Sequence, residues 1–165
     1  MKRLISMGTA VLALALWAPI CWGQQTVDLK ALESAKVSLE KALEIAGHHG
    51  KPISAKFEIE DGKLQLSVYT SKAGKFSEVL VNHQTGKVAK VEPISGGDDL
   101  KAAQAQNAAM GQAKTSLEAA TKRALKANAG SRAISVIPSI EAGHTVAVVT
   151  LTGSQGTKTV SEGLK

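Results

Sequence analysis

The groups in this chain that could do chemistry are few and scattered. His48, His49, His83 and His144 are its only imidazoles, and Cys21 is its only cysteine. Neighbouring residues on a helix project about 100° apart, so His48-His49 makes a poor chelating pair. At the end of a helical stretch the macrodipole gives both an ordinary reason to be there. His83 falls in a turn and His144 follows Gly143, so both are expected to be exposed. This set does not reach a zinc-ligand pattern. Glu58, Glu60 and Asp61 could stand as paired acids. Strict alternation in this stretch, however, puts Glu58 and Glu60 on a solvent face, which reads as a solvated edge. Gly153-Ser154-Gln155-Gly156 is a hairpin turn and not a nucleophile elbow. Gly96-Gly97 lacks the Lys and Ser/Thr that a phosphate loop requires. No catalytic residue, cofactor or metal is therefore expected. An enzyme of unfamiliar kind would need a concave site with convergent polar groups.

The N-terminus carries an address. Lys2 and Arg3 precede an uncharged, mostly apolar run from Leu4 to Trp22, and Cys21 and Gly23 stand at −3 and −1 of a cleavage after Gly23. That is the layout of a secretory signal peptide over residues 1–23. Pro19 disfavours cleavage after Ala18. A retained anchor is the other reading, since 19 residues suffice to span a bilayer. Lipid attachment at Cys21 is a third, weakened by Ile20, which is not small. Export implies a periplasmic or secreted destination, and no membrane contact after cleavage. Removal of residues 1–23 leaves 142 residues, no cysteine, and Phe57, Tyr69 and Phe76 as the only aromatics. Net charge falls from +6 to +4, spread along the chain. Such a diffuse excess, without aromatics for stacking, argues against a nucleic-acid partner.

The elements that must position these groups occur twice. Ser38-Leu39-Glu40-Lys41-Ala42 returns as Ser116-Leu117-Glu118-Ala119-Ala120, and Ile53-Ser54 with Glu60-Asp61-Gly62 returns as Ile134-Ser135 with Glu141-Ala142-Gly143. The offset is 78 in the helix and 81 in the strands. In the first copy Leu29, Leu32, Leu39, Leu43 and Ala46 recur at helical spacing, with Thr26 or Asp28 to open the helix and Gly47 or Gly50 to close it. Ile53, Ala55, Phe57 and Ile59 alternate with Ser54, Lys56, Glu58 and Glu60 in a strand. Asp61-Gly62 suits a type I′ hairpin. Returning strands follow around Leu64–Val68, Val79–Val81 and Val88–Val91, with turns at Ala73-Gly74 and Thr85-Gly86.

Pro93 through Gly97 reads as a linker. The second copy then opens with an Ala/Gln-rich helix capped by Asp98 or Asp99, weak at Gly111, restarting at a Thr115/Glu118 capping box and ending near Asn128 to Gly130. Strands follow at Ile134–Ile140, Val146–Leu151 and around Val160, and Pro138 predicts an edge or bulge. The predicted class is α+β: two repeats, each a helix followed by an antiparallel meander of three to four strands packed on it. The repeats occupy residues 24–93 and 99–165, joined by 94–98, and the second lacks the last strand. A unit of this size is marginal alone, so an intimate pair is expected.

The residues from Ser38 to Ala46, Ile53 to Glu60, Gly62 to Thr70 and Phe76 to Val88, with Val81-Asn82-His83-Gln84-Thr85-Gly86-Lys87-Val88, resemble the PepSY family. Asn82 stands where that family commonly has Asp. The resemblance covers about 28–92 well and about 115–163 loosely, and the second stretch lacks the Thr-Gly-Lys-Val piece. It implies a non-catalytic module that binds, and restrains in trans, an extracytoplasmic peptidase. The alternative is a structural or adaptor protein of the envelope with a different protein partner. The resemblance singles out Asn82, His83, Thr85, Gly86 and Lys87 as partner-binding candidates. Exposed sheet edges, at the Val160 and Pro138 strands, are the other candidate surfaces.

Overall fold

The computed structural model describes Val27 and residues 29–165. Residues 1–23, read from sequence as a signal peptide, and the two proposed openers Thr26 and Asp28 lie outside the described residues. The first helix is broken in two: α1 (Leu29–Glu33) and α2 (Leu39–Ala46). Ser38 causes the restart, because it adopts extended backbone and its Oγ accepts from Lys41 N at 3.3 Å. A four-strand meander follows, β1 (Lys51–Glu60), β2 (Lys63–Lys72), β3 (Lys75–Val81) and β4 (Val88–Ile94). Then come α3 (Gly97–Gly111) and α4 (Leu117–Ala127), and a three-strand meander, β5 (Arg132–Glu141), β6 (His144–Gly153) and β7 (Gly156–Gly163). The architecture is α+β, with all pairings antiparallel.

All seven strands form a single sheet in the order β4-β3-β2-β1-β5-β6-β7. The meanders join through β1 and β5, whose pairing is two residues long: Ala55 opposite Val136 and Lys56 opposite Ser135. The strand carrying Pro138 is therefore interior, not an edge, and Pro138 itself is buried. The fit is sterically simple, since Pro138 lies beyond that short ladder, where its missing N–H interrupts no β1–β5 pairing. Among the described residues the free edges are β4 and β7.

Alternation gives the sheet two faces. Ala55, Phe57, Leu66, Val68, Val79, Val136, Ala147, Val149 and Leu151 are buried on one. α2 and α4 lie side by side over it, contributing Leu39, Ala42, Leu43 and Ala46 from α2 and Leu117, Ala120 and Ala124 from α4. Val91 on β4 is 43% exposed because it lies beyond the cover of α2. The opposite face carries Ser54, Lys56, Ser67, Tyr69, Glu78 and Ser135. α3 crosses this second face, which the sequence reading leaves to solvent.

The junctions differ from expectation in detail. β4 runs to Ile94 and α3 starts at Gly97, so only Ser95 and Gly96 separate them. The cap of α3 is Gly96, without a side-chain bond, and that of α4 is Ser116, not Thr115. Asp61-Gly62, Ala73-Gly74 and Ala142-Gly143 all have positive φ at both positions, as two-residue I′ hairpins demand.

Several features recur at the two sequence offsets. Ser116 Oγ accepts from Ala119 N as Ser38 Oγ accepts from Lys41 N. The β-bulge at Pro52/Ser54 has its counterpart at Ala133/Ser135. His83 O accepts from Lys36 N and Val37 N, both at 2.9 Å, and Leu164 O accepts from Lys114 N and Thr115 N at 2.7 and 3.0 Å.

Candidate functional site

The turn from Asn82 to Lys87 is a closed hydrogen-bonded unit. Asn82 Oδ1 accepts from Gln84 N at 3.0 Å and Thr85 N at 2.9 Å. Asn82 O accepts from Gly86 N and Asn82 N donates to Lys87 O, each at 2.8 Å. Thr85 Oγ1 accepts from Lys87 N at 3.3 Å. Gly86 holds φ +74°, and a Cβ there would sit 3.6 Å from Ile45 and 3.7 Å from Val37. Together with the two amides on His83 O, these contacts clamp the turn onto the start and body of α2. The five candidate residues are thus adjacent, but much of their polar capacity is spent internally. His83 is half-buried instead of exposed, with Nδ1 enclosed and without a partner among the described residues. The exposed side chains are Asn82, Gln84, Thr85 and Lys87.

A second candidate lies under α3. The helix is held at three points: Tyr69 Oη donates to Asp99 Oδ1 at 2.8 Å, Ser54 Oγ donates to Gln106 Oε1 at 2.8 Å, and Lys51 Nζ donates to Met110 O at 2.8 Å. The last places a cation at the helix C-terminus, where the macrodipole favours it. Between these points α3 presents small side chains, and a groove of about 780 Å³ opens. Its walls are Ala102, Ala105 and Ala109 on the helix and Ile134, Ile137 and Pro138 on the sheet.

The polar floor is built from adjacent strands. Lys56 Nζ lies 2.6 Å from Glu58 Oε2 and 6.0 Å from the Tyr69 ring centre. Ser67 Oγ donates to Glu78. Burial raises the Glu78 carboxyl above its ordinary value, against the lowering pull of Ser67. Burial, aided by Asp99, pushes the Tyr69 phenol well above its ordinary range, so it stays protonated and a donor. Glu58 is half-buried in this groove, not fully on a solvent face. The sequence reading missed the groove because it took α3 as the opening of the helix that covers the second meander. The lone tyrosine on the polar register of β2 was the available signal, since buried tyrosines need a hydroxyl partner.

Among the described residues no group of three or more His, Cys, Asp or Glu is placed to hold a metal ion. No described helix is long and apolar enough to cross a membrane.

A helix-covered antiparallel meander, closed by a turn that grips the helix, is the class of structure the first half defines. Residues 36–92 match the PepSY family, described as the peptidase propeptide and YPEB domain. The match begins just before Ser38 and ends within β4, so β5 to β7 lie outside it. No curated protein and no solved structure matches the chain.

Proposed function

We propose that the chain is an exported, non-catalytic module of two PepSY-like units that binds an extracytoplasmic peptidase and restrains it in trans. The observation that carries the reading is the PepSY match over residues 36–92, a family whose description names peptidase propeptides. The features recurring beyond that match, at the α4 cap, the β5 bulge and Leu164 O, support a second unit. The groove under α3 supplies a surface for the partner: it is apolar along its walls, polar on its floor, and within the size range of ligand sites. The exposed side of the Asn82–Lys87 turn, chiefly Lys87, is the second contact.

The test is inhibition titration of a peptidase retained from an envelope extract, identified by mass spectrometry. Ala105→Trp fills the groove from an exposed position and is expected to abolish inhibition while the thermal melt is unchanged. Unaltered inhibition by this variant removes the groove from the account. An envelope adaptor with a non-peptidase partner is the alternative, and a stable partner of that kind, with peptidase activity unchanged, would favour it.

A further inference from the structure

The two free edges of the sheet are unlike. On β4, Pro93 offers no N–H, and Lys90 and Glu92 are paired to each other at 2.7 Å, so the edge is blunted. β7 has eight residues, no proline, and among the described residues β6 on one side only. The first half of the molecule shows what such an edge accepts. Val79 of β3 pairs inward with Val68 and outward with Val91 of β4. Val160 of β7 stands at the equivalent place, paired inward with Val149, and its outer side faces no strand among the described residues.

We propose that this position is filled by β7 of a second copy of the chain, running antiparallel and centred on Val160. In that register Val160 faces Val160 of the second copy, Thr159 faces Ser161, and Lys158 faces Glu162 twice over. Lys158 is exposed and forms no ion pair among the described residues. The Glu162 carboxylate is already fixed in place, since Arg123 Nε lies 3.3 Å from its Oε2 while the same guanidinium donates to Gly163 O at 2.6 Å. Val160, Lys158 and Glu162 lie on the α4 side, so both copies keep their helices on the same face of a doubled sheet. A slip of one residue loses both ion pairs and turns the second copy's helices to the other face. The contact is two-fold and self-complementary, so it closes as a dimer, and the blunted β4 edge stops further growth.

Sedimentation equilibrium of the native chain at low salt tests this, with Lys158→Glu, Glu162→Lys and the double exchange, each checked for native circular dichroism. The native chain is expected to dimerise in the micromolar range. Each single change should weaken association about tenfold or more by setting like charges opposite one another at both pairs. The double exchange should restore it. A native chain monomeric throughout that range overturns the proposal, as does Lys158→Glu that leaves the dimer intact or a double exchange that fails to restore it. None of these outcomes bears on peptidase binding at the groove.

Discussion

Two residues at equivalent stages of the two meanders show how little the latch depends on side-chain identity. His83 and Leu164 both use the backbone oxygen to take two amides, yet Leu164 is fully buried while His83 encloses an Nδ1 that has no partner among the described residues. The Thr145 hydroxyl is likewise buried and without a partner among the described residues. Thr145→Val keeps the shape and removes the stranded oxygen, so it should stabilise the fold by about 1 kcal/mol in urea denaturation. Asn82 is the opposite case, because its Oδ1 satisfies two amides. Asn82→Ala should cost about 1–2 kcal/mol, whereas Asn82→Asp retains the acceptor and should lose little. Glu78 carries the pH dependence at this scale. Its folded-state value is raised above the usual 4.5 by burial, so the folded chain binds its proton more readily than the unfolded chain. The stability it contributes is full below the unfolded value and falls as pH rises through the raised one. Glu78→Gln should flatten that slope, read as urea midpoints across the acidic range.

Element by element, periodicity was a good guide wherever one face met one core. The alternation in β1 and β2, the Asp61-Gly62 and Ala142-Gly143 turns, and the Leu39, Leu43 and Ala46 stripe of α2 stand much as their residue patterns imply. Where a second surface intervened, local pattern was insufficient. Ser54 on the polar face of β1 reads as solvated, yet it holds α3 through Gln106, and Lys51 at the start of the strand holds the helix C-terminus. Pro138 reads as an edge signal because no local pattern reveals a ladder between β1 and β5 that stops after two pairs. The helical spacing from Leu29 to Ala46 likewise hides the restart at Ser38, whose side chain competes for the backbone. α3 has little apolar stripe of its own and depends on its three polar attachments. Tyr69→Phe leaves Asp99 without its donor and should raise amide exchange along α3 selectively, leaving β2 protected. Equal loosening of β2 and α3 would contradict this division.

At the scale of the molecule, the joining of two meanders through β1 and β5 has consequences that neither would have alone. It builds one sheet wide enough for α2 and α4 to share a face, and it leaves the other face for α3 and the groove. Both halves then bury their apolar faces in one core, which matters for units too small to bury much surface individually. The candidate site was the least legible part, since its lining comes from α3, β1, β2, β5, β6 and β7. The turn that carries the family resemblance was readable from its residues, but its main visible work is to clamp α2. The central claim is restraint of a peptidase by a non-catalytic chain, and its most direct measurement is activity of the captured, purified peptidase as this protein is titrated. The account predicts saturable loss of activity at stoichiometric ratio, abolished by Ala105→Trp. Activity that stays constant through excess protein would contradict it.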